Sequence, residues 1–133
     1  MIVDTSAVGA VLQEEPEAPR FARALAAAPA PRISAANWFE AAIVLDSKGD
    51  AVVHLRFDQF FRRFGIGIEA VTPELAAAAR LAYRAYGKGN HPARLNFGDW
   101  FAYALAKDRG EPLLFKGEDF AHTDITPALP ATP

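Results

Sequence analysis

The sequence predicts an α/β fold, a mainly parallel sheet of four or five short strands with helices on both faces. Two observations carry that expectation. Short apolar runs at residues 1–3, 32–33, 66–71 and 112–115 alternate with longer stretches of helical pattern, and strands separated by helices pair in parallel. Helix start and stop signals mark the junctions, as at Ser34, at Thr72-Pro73-Glu74 and at Gly110. A third observation bears on function. The first strand ends on a carboxylate, Asp4, the only ionisable side chain between Met1 and Glu14, and parallel sheets bind ligands beyond the carboxyl ends of their strands.

In chain order, Met1-Ile2-Val3 reads as a buried strand, and Thr5-Ser6 as a hydroxyl pair of the kind that starts a helix. A short helix over residues 7–13 breaks at Glu14-Glu15-Pro16. Pro16 opens the next helix, residues 17–28, whose Phe21 and Leu25 share one face. Arg32-Ile33 is the second strand. Ser34 caps a helix running to Ser47, with Lys48 and Gly49 as stop signals, and Asp50 caps another carrying Val53, Phe57, Phe60, Phe61 and Phe64.

Ile66, Ile68 and Val71 make the third strand. Thr72-Pro73-Glu74 supplies a hydroxyl cap, a proline in the first turn and an acid favoured by the helix dipole, opening a helix to Tyr86. Residues 87–92 are a loop. The last helix, from Phe97 to Asp108, stops at Gly110. Pro112-Leu113-Leu114-Phe115 is the fourth strand, Lys116-Gly117 a turn, and residues 125–129 a candidate fifth strand. The proline-rich residues 130–133 read as a frayed tail of a single domain spanning 1–133.

Bulk composition excludes several classes. With 51% apolar and 23% charged residues over 133 positions, the chain buries roughly two-thirds of its unfolded surface and is not disordered. A formal charge of −2 does not hold nucleic acid by charge alone; such a role needs a local basic surface, or metal ions that invert an acidic pocket. Cysteine is absent, which removes disulfides, zinc–thiolate sites and thiol nucleophiles. No run of 18 apolar residues suggests a membrane span and no basic leader precedes Asp4, so the expected location is the cytoplasm.

The isolation of the acids is the most informative pattern. Between Ile33 and Leu45 the only charge is Glu40, and between Leu95 and Ala106 the only charge is Asp99. The apolar character around Glu40 predicts a helix buried on nearly every side. Each acid by itself has an ordinary explanation: a helix cap for Asp4, a buried arginine partner for Glu40, a first-turn position for Asp99. Three lone carboxylates in three apolar elements, with no basic residue on the same faces, point instead to a shared cation, since buried charges must be paired or coordinate a metal. Oxygen ligands without Cys or paired His select Mg²⁺ or Mn²⁺, and the chemistry that fits is hydrolysis of a phosphate ester.

These residues fall into an ordered set: Met-Ile-Val-Asp-Thr-Ser-Ala at 1–7, Ser34 with Glu40, Gly-Lys-Gly-Asn-His-Pro-Ala at 87–93, Leu-Asn-Phe-Gly-Asp at 95–99 and Leu-Leu-Phe-Lys-Gly-Glu-Asp-Phe at 113–120. In this set the chain resembles a PIN-domain ribonuclease of the VapC type, the toxin of a VapBC toxin–antitoxin pair, over nearly its whole length. The resemblance implies a three-layer α/β/α fold and a pocket of four acids at Asp4, Glu40, Asp99 and Asp119. Asp119 is preferred to Glu118 because it stands directly before Phe120, as in the family's Lys-Gly-x-Asp-Phe pattern. Asp4 and Asp99 then ligate the metal, with Glu40 and Asp119 doing so directly or through water. Thr5 and Ser6 support the ligands, Asn96 orients Asp99 or substrate, and Lys116 approaches a phosphate. Two positions depart from the family's usual residues: Asn90 stands where Arg is common, and Trp100 where Cys is common.

The activity so implied is Mg²⁺-dependent endonucleolytic hydrolysis of RNA, with Mn²⁺ able to substitute, a metal-activated water as nucleophile, and 5′-phosphate and 3′-hydroxyl products. The implied partners are the RNA substrate, a VapB-type antitoxin whose tail fills the acidic groove, and a second copy in a homodimer. His91 and His122 read as loop or packing residues. A metal-dependent phosphatase is the alternative enzyme, but the haloacid dehalogenase type requires Asp-x-Asp where Ser6 stands, and a receiver domain requires an acidic pair before Asp4 that three residues cannot hold. A non-catalytic module that binds nucleic acid or protein is the remaining alternative.

Overall fold

Ile2 and Val3 are β-branched, which favours extended backbone, and both are completely buried. They form the central strand of the sheet in a computed structural model that describes residues 1–48, 51–86, 93 and 95–131. The elements run β1 (Ile2–Val3), α1 (Thr5–Leu12), α2 (Ala18–Ala27), β2 (Arg32–Ser34), α3 (Ala35–Asp46), α4 (Ala51–Phe64), β3 (Gly67–Glu69), α5 (Pro73–Tyr86), α6 (Phe97–Arg109) and β4 (Leu113–Leu114). Among the described residues the strands form one parallel sheet in the order β3-β2-β1-β4.

That order decides where a site can lie. The chain steps outward from β1 through β2 to β3, then returns to place β4 on the other side of β1. The reversal between β1 and β4 is a topological switch point, where the two following segments diverge and leave a crevice. Ile2 stands opposite Leu113 and Val3 opposite Leu114. The Asp4 amide donates to the Leu114 carbonyl at 2.9 Å, so the residues after β1 and β4 emerge side by side.

Alternation along the strands divides the core. Val3, Ile33 and Leu114 face a cluster with α1 to α4, including Val8, Phe21, Leu25 and Phe57. Ile2 and Leu113 face the opposite cluster, with Ala79 and Ala82 of α5 and Trp100 and Leu105 of α6. The result is the expected three-layer α/β/α arrangement. On the first face, Phe57 packs against Trp38 and edge-on against Phe61, with ring centroids 5.8 and 4.9 Å apart.

Several expectations are corrected locally. Helix α1 starts at Thr5, two residues early, because Asp4 itself is the N-cap: its side chain accepts from the Ser6 amide. The hydroxyl pair lies inside the helix rather than ahead of it. Helix α3 is not buried on nearly every side, for Phe39, Ile43 and Val44 are exposed. An apolar wheel therefore does not imply burial here; it leaves an uncovered face. Val71 lies beyond β3, an edge strand whose Ile68 is half-exposed. The fifth strand shrinks to a single bridge between Leu113 and Pro127; proline lacks the N–H that would continue a ladder.

Of the tail, the Pro130 carbonyl accepts a hydrogen bond from Arg20. The stop signal at Gly49, the cap at Asp50, the loop at 87–92 with Asn90 and His91, and residues 132–133 lie outside the described residues. Replacing Phe57, 4% exposed and held between two rings, deletes a ring that cannot be refilled. Phe57→Ala should lower the unfolding free energy by about 3–5 kcal/mol, read from urea denaturation.

Candidate active site

Four buried polar side chains stand out among the described residues: Asp4, Ser34, Asn37 and Asp99. All four belong to the N-terminal turns of helices. Asp4 caps α1, Ser34 caps α3, Asn37 is in the first turn of α3, and Asp99 is in the first turn of α6. Those turns carry amides without helical partners and the positive end of the helix dipole. Acceptors are drawn to them, which is why an otherwise apolar interior tolerates acids at this place.

Asp4 uses one oxygen, Oδ2, as its cap. It accepts from the Ser6 amide at 3.0 Å and the Ser6 hydroxyl at 2.6 Å. The same hydroxyl accepts from the Lys116 amide at 2.9 Å, so Ser6 ties the segment after β4 to the acid after β1. Asp99 is held in a reciprocal capping box: its Oδ2 accepts from the Asn96 amide at 2.9 Å, and Asn96 Oδ1 accepts from the Asp99 amide at 3.4 Å. In both acids the other oxygen stays outside those bonds. Ser6 and Asn96 thus hold the two acids through capping bonds. Thr5 is directed elsewhere, its hydroxyl donating to the Asn37 carbonyl at 3.1 Å.

The acids feel one another. Burial pushes the Asp4 carboxyl up to about 6, against the lowering effect of the Ser6 bonds, and the charge of Glu40 adds to the rise. Asp99 is pushed up to about 7, first by burial, with the charges of Asp4, Asp119 and Glu40 adding to it. Glu40 and Asp119 are therefore electrostatic neighbours of the buried pair, although Glu40 is partly exposed and Asp119 exposed. Glu40 extends to the backbone of Gly98, one residue before Asp99. Among the described residues none of the four acids has a cationic partner, which excludes the buried-arginine explanation for Glu40 there. The described acidic, cysteine and histidine side chains do not gather in threes closely enough to enclose an ion. The four acids are coupled through space.

Lys116 behaves differently from expectation. Its ammonium pairs with Glu15 and, at 3.5 Å, with Glu17, and Glu15 holds its pKa above the ordinary value. Its backbone amide, not its charge, contacts the site through Ser6. Trp100 is nearly buried and meets Tyr83 edge-on at 5.7 Å, so the larger ring is absorbed by the α5–α6 contact.

Asn37 was not among the sequence candidates. It is completely buried, and its amide donates to the Gly98 carbonyl at 2.8 Å and more weakly to Thr5 Oγ1 at 3.4 Å. A signal for it existed: Asn37 precedes Glu40 by three residues, as Asn96 precedes Asp99. On α3 that spacing puts the amide and the acid on one face.

Three comparisons bear on this arrangement. A family model described as PIN domain matches residues 1–125. The chain is 50% identical over 130 residues to Ribonuclease VapC28 of Mycobacterium tuberculosis, covering 97% of this chain and 98% of that one. It is 47% identical over 125 residues to Ribonuclease VapC of Mycolicibacterium smegmatis, covering 94% and 97%. Among solved structures, M. tuberculosis VapC20, described as a Sarcin-Ricin loop cleaving toxin, superposes with a TM-score of 0.74 at 18% identity, covering 94% of this chain and 95% of that one. A toxin–antitoxin complex from Klebsiella pneumoniae gives 0.68 at 18% identity, covering 92% of each. At that identity the likeness is one of fold.

The raised carboxyl of Asp99 has a testable consequence. Between about pH 4 and pH 7 the native state binds a proton that the unfolded chain, titrating near 3.8, has released, so metal-free stability falls as pH rises through that window. Asp99→Asn keeps the oxygen that caps Asn96 and removes the charge. In EDTA at pH 8 it should melt roughly 3–8 °C above the parent, and the difference should vanish near pH 4. Equal melting temperatures at both pH values would contradict the buried, unpaired charge.

Proposed function

The chain belongs to the PIN domain family, and from that membership we propose that it is a VapC-type endoribonuclease, the toxin component of a toxin–antitoxin pair. The observation that carries the reading is the set of four coupled acids at the β1–β4 switch point, without a cation among the described residues. Near-half identity to named VapC ribonucleases along almost the entire chain supplies the substrate class, RNA.

The donor set fits a hard divalent ion. Two buried carboxylates each keep an oxygen outside the capping bonds, and their mutual repulsion is relieved by a positive charge placed between them. Asp4 and Asp99 hold Mg²⁺, or Mn²⁺ in its place, with Glu40 and Asp119 contributing directly or through water. When bound, the ion supplies a polarised water and neutralises charge on the phosphoryl oxygens. The protein fixes the carboxylates beforehand, Ser6 orienting Asp4 and Asn96 orienting Asp99, so little reorganisation accompanies the reaction. The chain is acidic overall, and four acids without a bound cation would repel a phosphodiester.

The partners follow from the same reading. A VapB-type antitoxin seats on the uncovered apolar face of α3 and α4, where Phe39, Ile43, Val44, Val52 and Leu55 are exposed, and its tail enters the acidic groove. A homodimer uses the second apolar face, over α5 and the start of α6, where Leu81, Tyr83 and Phe97 are exposed. No helix among the described residues is long and apolar enough to cross a membrane; the reading puts the protein in the cytoplasm with its RNA.

Purified protein should cleave single-stranded and structured RNA in Mg²⁺ and stop on addition of EDTA. Asp4→Asn and Asp99→Asn should each lower the cleavage rate at least about 100-fold while remaining folded. Lys116→Ala should stay within about threefold of the parent, because its ammonium is engaged by Glu15 and Glu17. Undiminished cleavage by the two folded Asn variants would remove the acids from the site.

A further inference from the structure

We propose that Asn37 and Gly98 form a clasp between α3 and α6 that positions Glu40 beside Asp99, making both of them positioning residues for the ion. The inference rests on the nuclease reading above. Asn37 and Glu40 are one helical turn apart and both reach Gly98. The Asn37 amide donates to the Gly98 carbonyl at 2.8 Å. The Glu40 carboxylate lies against the Gly98 Cα, so closely that an added Cβ would stand 2.3 and 2.4 Å from its two oxygens. The amide holds the backbone of α6 from one side, and the missing side chain makes room for the acid on the other.

Stability alone does not account for Asn37. Among the described residues its Oδ1 is buried without a hydrogen-bond partner, a state that destabilises the fold. An apolar residue of similar volume would avoid that cost. What it would lack is the donor that fixes the Gly98 carbonyl, and with it the turn that presents Asp99. Thr5 extends the clasp to α1: its hydroxyl donates to the Asn37 carbonyl and accepts weakly from the Asn37 amide. Asn37 thus links α3, which bears Glu40, to the helix starts that bear Asp4 and Asp99.

Gly98 separates positioning from folding. The obstacle an alanine would meet is the far end of a flexible glutamate, which can swing away. Gly98→Ala should therefore leave the thermal midpoint nearly unchanged and still displace the carboxylate. The experiment is Mn²⁺ titration, by calorimetry and by electron paramagnetic resonance of free Mn²⁺, on the full chain and on Asn37→Ala, Gly98→Ala and Leu45→Ala. The last removes a core side chain of the same helix without touching the clasp.

Gly98→Ala and Asn37→Ala should weaken Mn²⁺ binding about 10–100-fold, and Leu45→Ala, although less stable than the parent, should bind within about twofold of it. Gly98→Ala carries the test alone if Asn37→Ala does not fold. Binding by Gly98→Ala within about twofold of the parent overturns the clasp and leaves the nuclease reading standing. Equal weakening in Leu45→Ala also overturns it, as a general effect of lost stability. A parent that neither binds Mn²⁺ nor cleaves RNA overturns both.

Discussion

The structure depends on one electrostatic constraint: Asp4 and Asp99 are buried near each other with no cation between them among the described residues. In a medium of low polarity two such charges repel and are poorly solvated. The fold answers with helix N-termini. Capping amides from α1 and α6 take one oxygen of each acid, lowering the cost without removing it, and both carboxyl groups still lie far above the ordinary aspartate range. On the nuclease reading proposed above, a bound cation would relieve that residual cost.

The sheet topology is what brings those helix starts together. Because β4 returns beside β1, Asp4 and the segment leading to Asp119 leave the sheet next to each other, and Ser6 bonds across the gap. β2 lies on the other flank of β1 and runs directly into Ser34, the cap of α3. Of the other buried polar side chains among the described residues, Ser34 caps that helix start, and Asn37 in its first turn reaches across to Gly98 and Thr5. Among the described residues, the buried polar side chains thus all lie at or in the first turns of α1, α3 and α6.

Elsewhere among the described residues, the helices carry exposed apolar side chains. Phe39, Ile43, Val44, Val52 and Leu55 on α3 and α4, and Leu81, Tyr83 and Phe97 on α5 and α6, leave large apolar side chains in water. Burying them would be favourable at about 25 cal/mol per Å², so both faces are suited to partners. The charged Lys116, expected at the substrate, is instead spent on Glu15 and Glu17 at the edge of α2. Its contribution to the pocket comes from its backbone.

The alternation of strands and helices and most helix boundaries are legible in the sequence, because caps, prolines and glycines act locally. So are Asp4, Glu40 and Asp99, because a lone charge in an apolar segment is costly enough to be conspicuous. Asp119 was weaker, since a charge in a polar turn is cheap and Glu118 adjoins it. Which strands are neighbours, and hence that these acids feel one another, emerges from long-range packing. Only that packing revealed the uncovered face of α3, which an apolar wheel cannot distinguish from a buried one. It alone disclosed Asn37 and Gly98, because an amide and a missing side chain acquire meaning from what a distant helix places against them.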